Sequence, residues 1–316
     1  MDQAQLSSRA VMGMYYAQLE TNPGMAWIDG VSNLFNSDQA SERYEFLGMS
    51  PAMREWVGGR TAKGFSGNGL TIINKHYEKS IEIPLKDLRR DKTGQIMARV
   101  AELSQSSPTH WASLLSTLLL NGPSTVCYDG QFFFDTDHSE GDSGTQDNDI
   151  TVDISTFDSA RDVVTNPTAI QAQAAIVKAI AQILSFKDDR GEPMNENAMA
   201  FLVIVPIGLY IPMLAAINVL TTAAMVQNIN PNSVKPGMTV DVQMNPRLTW
   251  TDSFAVFRTD SPIKALIRQS ETEPVLRAVA EGSDFEYFNK AWQFGVDAWR
   301  NVGYGYWQRA CYVTMI

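Results

Sequence analysis

The residues best equipped for chemistry sit together in one acidic stretch, Asp135-Thr136-Asp137-His138-Ser139-Glu140-Gly141-Asp142. Carboxylates at alternate positions can chelate a hard cation, and an imidazole among them can join a transition-metal site. A metal-dependent hydrolase would draw on Asp135, Asp137, His138 and Asp142. His138 and Glu140 break the spacing of a calcium loop, however, and the other two histidines, His76 and His110, have no adjacent partner. The expectation is therefore a solvated acidic loop, with the hydrolase as the alternative.

A second candidate is the glycine-rich patch Gly58-Gly59-Arg60-Thr61-Ala62-Lys63-Gly64-Phe65-Ser66-Gly67-Asn68-Gly69. Gly59 and Gly64 have the spacing of a phosphate loop, but Phe65 stands where the phosphate-reaching lysine must be. Gly67-Asn68-Gly69 fails as a dinucleotide fingerprint because Ile72 occupies the third glycine position. A nucleophile elbow needs glycine two residues before and two after its serine. Ser66 is followed by Asn68 and Ser143 by Thr145, so both fail. No catalytic residue, cofactor site or metal ligand emerges, and the chain is expected not to be an enzyme.

Charge narrows the partners. The net charge of 316 residues is -10, and basic residues are interleaved with acids, as in Lys86-Asp87-Leu88-Arg89-Arg90-Asp91. Tight nucleic-acid binding needs a basic patch or stripe, so only loose, non-specific contact with DNA is compatible. Cys127 and Cys311 lie far apart in no metal-ligand spacing, and they read as buried, reduced thiols. The residues Met1-Asp2-Gln3-Ala4-Gln5 lack the basic start and apolar run of a signal peptide. The uncharged stretch between Glu196 and Lys235 is interrupted by Pro206, Gly208 and Pro212, which favours a buried strand (Phe201 to Val205) and a buried helix over a membrane span.

The elements that must position these residues follow from periodicity. Val11, Met14, Tyr15 and Leu19 share one helical face in a segment, Leu6 to Leu47, with little core of its own. The glycine patch lies between two extended stretches, and Ile81, Ile83 and Leu85 alternate on its return, so Trp56 to Leu85 reads as a long hairpin needing a partner surface. Leu85 to Asn121 is helical, with a break or kink expected at Ser107-Pro108 and a left-handed glycine at Gly122 closing it. Thr125 to Phe134 reads as strand, Asp129-Gly130 turn, strand. A helix follows Asn166-Pro167 with Ile170, Ala174, Val177, Ile180 and Leu184 as its stripe, and beyond Thr239 the chain is strand-like. The glycines in the aromatic tail from Trp299 to Trp307 ease close packing. The class is α+β with mostly antiparallel strands.

Seven stretches stand in order along the chain: Leu6-Ser7-Ser8-Arg9-Ala10-Val11, Met53-Arg54-Glu55-Trp56-Val57-Gly58-Gly59-Arg60, Asn74-Lys75-His76-Tyr77-Glu78, Leu85-Lys86-Asp87-Leu88-Arg89-Arg90-Asp91, Cys127-Tyr128-Asp129-Gly130, Phe134-Asp135-Thr136-Asp137-His138 and Arg300-Asn301-Val302-Gly303-Tyr304-Gly305-Tyr306-Trp307. In this order they resemble the Mu-like phage major head subunit (gpT-like) family. Pro206 to Gly237 carries the least resemblance. The resemblance implies the tailed-bacteriophage major capsid protein fold. Its parts would be an N-terminal arm (1–50), an extended hairpin (51–85), a peripheral domain with a spine helix (86–160), an axial domain (161–250) and strands returning to both (251–316). It further implies self-assembly through hexamers and pentamers into an icosahedral shell around DNA, assembled in the bacterial host cytoplasm and located in the virion. A separate scaffold, a protease and a portal would be partners; a chain that begins so close to its arm leaves no room for a fused scaffold. No cofactor and no membrane are expected, and the hairpin residues Trp56, Arg60, Lys63, Phe65, His76 and Tyr77 are the expected inter-subunit contacts.

Overall fold

The computed structural model describes residues 7–21, 25–46, 68–90, 94–158, 163–217 and 238–316. Two hydrophobic cores share one helix. That helix, α4 (Gln95–Leu120), has 26 residues and so is about 39 Å long. Its first half gives Ile96, Val100 and Leu103 to one core, and its second half gives Ala112, Leu115 and Leu119 to the other. Both triplets follow helical spacing, so one amphipathic face serves two bodies.

The first core lies under a four-stranded sheet of order β1-β9-β10-β4, made of β1 (Ser32–Asn36), β9 (Leu266–Val279), β10 (Ala291–Tyr304) and β4 (Lys75–Pro84). Helix α1 (Ser8–Thr21) packs Val11 and Tyr15 into it, and α3 (Leu85–Arg90) adds Leu88. The N-terminal helix thus rests on its own chain's body. The second core lies under a five-stranded sheet of order β5-β11-β8-β6-β7. Its strands are β5 (Asp149–Val152), β11 (Ala310–Met315), β8 (Ser253–Arg258), β6 (Ala200–Val205) and β7 (Thr239–Met244). Helices α2 (Ala26–Val31), α5 (Ala169–Ser185) and α6 (helical over 210–217) contribute to that core. Strand β6 is buried from Phe201 onward and ends at Pro206, as its apolar run foretold. Five of the eight strand pairings among the described residues are antiparallel, and the three parallel ones (β1 with β9, β5 with β11, β6 with β7) all lie at sheet edges.

Several local expectations change. α4 runs unbroken through Pro108. Thr109 Oγ1 donates to Gln105 O at 2.8 Å, beside the Ser104 carbonyl that Pro108, lacking an N–H, leaves without its helical donor. The helical run divides instead just before α4, where Gly94 holds φ 72 in the left-handed region. Gly122 is not left-handed. A Cβ there would sit 2.4 Å from Phe134 Cδ2, so glycine is needed for space. Thr125 to Phe134 forms one isolated bridge, Val126 to Phe132, rather than two strands. On α5 the buried stripe is Ala172, Ala175, Ile176, Ala179, Ile180 and Ile183, while Ile170 is exposed. This helix is apolar nearly all round, which leaves periodicity little to choose between. It starts at a capping box in which Thr168 and Gln171 satisfy each other's backbone N–H.

The glycine-flanked stretch also pairs differently from an isolated hairpin. β3 (Asn68–Ile73) is antiparallel to β2 (Ser41–Phe46), and β4 runs antiparallel to β10 over ten residues. The loop between β2 and β3 lies outside the described residues. β2 begins ahead of residue 51, β3 pairs with β2 in a two-stranded sheet, and β4 after it belongs to the four-stranded sheet.

Candidate functional site

The acidic stretch folds around His138, and it is not simply a solvated loop. His138 is fully buried. A turn at Gly130 (φ 92) brings Asp129 back against it, with Asp129 Oδ2 2.6 Å from His138 Nδ1. His138 Nε2 lies 3.2 Å from Asn148 Oδ1. The orientation of Asn148 is fixed, because its Oδ1 accepts the Asp135 N–H and its Nδ2 donates to Phe133 O and Trp307 O. Both ring nitrogens therefore face acceptor oxygens, the arrangement of an imidazolium whose counter-charge is the Asp129 carboxylate. The ring stacks on Trp307 with centroids 4.0 Å apart and planes 10° from parallel.

Further polar groups close the hub. Cys127 Sγ donates to Asp129 Oδ1 at 3.0 Å and the Gln131 N–H to the same oxygen at 3.1 Å. Burial pushes the Asp129 carboxyl up, but hydrogen bonds from His138 and Cys127 outweigh it and hold it below its ordinary value. Burial, with the Asp129 charge behind it, drives the Cys127 thiol well up, so it stays protonated and donating. Tyr128 OH donates to Glu140 Oε1 and accepts from Gln308 Nε2 at 2.8 Å.

This geometry does not assemble the four hydrolase residues. Asp135 is spent on the turn, accepting the Phe132 and Thr136 N–H groups, and Asp137 and Asp142 are exposed while His138 is buried. Cys127, Asp129 and His138 bring potential ligand atoms within 4.8 Å of one another, the one such group among the described residues. Each is already engaged in the hydrogen bonds above, and no reacting atom of His138 reaches solvent. The arrangement holds two segments together; it does not present a nucleophile or a base. Spacing alone missed Cys127, Asp129, Asn148, Trp307 and Gln308, since the last two join from about 170 residues away.

Of the expected inter-subunit residues, Trp56, Arg60, Lys63 and Phe65 lie outside the described residues. His76 and Tyr77 sit on opposite faces of β4. His76 is exposed, stacks on Trp299 at 4.7 Å and lies 3.3 Å from Asp297 Oδ1. Tyr77 meets His110 of α4 edge-on at 4.3 Å and lines a groove of about 360 Å³ between β4, α4 and β10. Large apolar side chains stand exposed at several places, two of which hold neighbouring pairs. Tyr287 and Phe288 occupy the short helix α7 (Asp284–Asn289) between β9 and β10, and Ile207 and Ile211 lie at the start of α6. No helix among the described residues is long and apolar enough to cross a membrane.

A sheet-and-spine subunit of this kind has known counterparts. The fold matches a chain of the bacteriophage JBD30 procapsid over 99% of this chain and 76% of that one, with TM-score 0.56 and 20% identity. It matches the cyanophage P-SCSP1u capsid over 93% and 88% (TM-score 0.55, 10% identity) and the virus-like particle of Pyrococcus furiosus over 96% and 98% (TM-score 0.51, 11% identity). The architecture is thus the capsid-protein fold of tailed phages. In sequence, residues 10–161 and 233–315 match the family described as Mu-like prophage major head subunit gpT. The chain belongs to that family, whose members are structural head subunits rather than enzymes. Among relatives, the Mu-like prophage FluMu major head subunit of Haemophilus influenzae is 35% identical over 111 residues, and the major capsid protein of Escherichia phage Mu is 34% identical over 108. These stretches cover 35% and 34% of this chain and span 36% and 35% of the two relatives' lengths.

Proposed function

We propose that the chain is the shell-forming subunit of a tailed-phage head, a structural protein whose copies associate through hexamers and pentamers into an icosahedral shell around packaged DNA. Family membership across both cores carries the reading. The exposed apolar side chains of Tyr287, Phe288, Ile207 and Ile211 support it, because such side chains are unfavourable in water and suit burial against neighbours. Closed symmetry reuses each contact many times, so modest interfaces add up.

In this reading residues 1–50 form the arm, 51–85 the hairpin reaching a neighbour through Trp56, Arg60, Lys63, Phe65, His76 and Tyr77, 86–160 the peripheral domain, and 161–250 the axial domain. The strands of 251–316 return to both. Assembly takes place in the host cytoplasm with a separate scaffold, a protease and a portal, and DNA is touched loosely, in keeping with the net charge of -10. Electron microscopy and sedimentation of the purified chain, alone and with its phage's scaffold, test the proposal. Capsomers or closed shells are expected. A small soluble oligomer under both conditions overturns it.

A further inference from the structure

The groove lined by Tyr77 is short of negative charge. Three cations line it: Lys79 of β4, Arg247 beyond β7, and Arg300 of β10. None of them has an ion-pair partner among the described residues. Arg300 is 3% exposed, and its guanidinium lies 4.8 Å from the Trp111 ring centroid. It donates to Ser107 O at 3.2 Å and Ser107 Oγ at 3.0 Å, and its Nε has no partner. Arg247 reaches only Ser113 Oγ, at 3.4 Å. Glu78 is the single acid in the lining. His110, in the same wall, is held down to about 4 by burial and by the charges of Arg300 and Arg247, so it adds a neutral imidazole and reports a positive potential.

Glu273 lends Arg300 a favourable charge from nearby but no ion pair; a buried guanidinium without one is costly, and the deficit is reduced when an anion enters. We propose that this groove receives a carboxylate side chain from a second copy of the chain, an inference that rests on the shell-subunit reading above. Charge selects that occupant. Each copy carries -10, so two copies repel unless acids of one meet cations of the other. The Ser113 hydroxyl, which accepts from Arg247, has its own O–H to donate beside the cations, which suits a single carboxylate head. A nucleic-acid strand presents a continuous line of phosphates and needs a basic stripe; a bounded groove of about 360 Å³ with Glu78 in its wall is a poor fit.

The test uses shells assembled from equal parts of heavy-isotope and ordinary subunits, treated with a water-soluble carbodiimide, which joins a lysine amine to a nearby carboxylate as an amide. Peptide mapping is expected to find Lys79 joined to an Asp or Glu in mixed-isotope pairs, and to find no such link in unassembled subunits. Lys79→Arg should keep the shells and lose the link. Arg247→Glu should lower shell yield at least about tenfold, equivalent to some 1.4 kcal/mol, with an unchanged circular dichroism spectrum. Shells whose Lys79 is linked only within its own chain, or not at all, overturn the proposal, as does wild-type shell yield from Arg247→Glu. Normal shells that lose DNA in that variant transfer the groove to phosphate and overturn it equally. Failure of the wild-type chain to form shells at all sinks the shell-subunit reading itself, and this inference with it.

Discussion

Removing the Asp129 carboxylate should cost more than its size suggests. In Asp129→Ala three donors lose their acceptor: the Cys127 thiol, the Gln131 N–H and His138 Nδ1. The third loss dominates. The His138 side chain is 0% exposed and its partner 3%, so water cannot replace the carboxylate without opening the loop. Breaking one side of a buried ion pair costs about 3–5 kcal/mol. His138→Ala leaves Asp129 with its two other donors and forfeits the stack on Trp307, worth about 1 kcal/mol, so a loss near 3 kcal/mol is expected. The double variant leaves no orphan charge. It should therefore fall short of the summed single losses by about 2 kcal/mol or more, within the range of contacting pairs. Urea unfolding of unassembled subunits, followed by the intrinsic fluorescence of the seven tryptophans, measures all four proteins. Because the folded Asp129 carboxyl lies below its ordinary value, its contribution is present above the unfolded value near pH 4 and lost as pH falls through the depressed one. Single losses that add to within about 0.5 kcal/mol would refute the charge-pair reading of the hub.

Other perturbations probe other parts. Burial, then the charges of Asp147 and Asp135, raises Asp149 to about 6, so the folded state holds that proton more tightly than the unfolded chain. Its stability contribution is then full below about pH 4 and lost as pH rises through about 6. The stability advantage of Asp149→Asn over wild type should grow across that window, and an advantage independent of pH counts against the assignment. A Cβ on Gly303 would sit 2.4 Å from Ile72 Cδ1, so Gly303→Ala should destabilise by about 1–3 kcal/mol and be relieved by Ile72→Val, measured by thermal unfolding. Cys127 and Cys311 are both buried with thiols pushed far up by burial, so rapid alkylation of denatured shells should count two free thiols per chain, and any lower count contradicts this. Deleting Gly58 to Gly69 should leave folded subunits that no longer form stable shells; insoluble protein would show that the segment belongs to the body.

Much of the architecture was legible because it depends on local rules. The apolar run Phe201 to Val205 with a proline behind it is a buried strand on any reading, and Ile96, Val100 and Leu103 can only be a helical face. What misled were positions whose deciding contact no sequence pattern marks. Pro108 reads as a helix break until the Thr109 hydroxyl is seen donating to the Gln105 carbonyl beside it. Gly122 reads as a left-handed cap, yet the constraint is the Phe134 ring pressed against it. The segment from Trp56 to Leu85 looked partnerless because β10, which pairs with β4, comes about 200 residues later.

The same distance explains the acidic stretch. Counting carboxylates around His138 treats the sequence neighbourhood as the spatial one, and the histidine's true partners come from a turn nine residues earlier and a strand-end turn 169 residues later. Yet three of the stretches that carried the family resemblance, Cys127 to Gly130, Phe134 to His138 and Arg300 to Trp307, all meet at this hub: Asp129 and Trp307 hold His138, and Phe134 packs on Tyr312 of β11 at 5.2 Å. Three of the seven recognisable stretches therefore lie in the interior that fixes how the loop and the C-terminal strands sit together. Surfaces that touch neighbours need only match other copies, and many sequences satisfy that. A buried imidazolium needs a carboxylate, an amide oxygen and an aromatic face at fixed distances, and few sequences do. That narrow tolerance makes the wording of these three stretches recognisable, while the stretches Met53 to Arg60 and Asn74 to Glu78 hold residues proposed to touch neighbours.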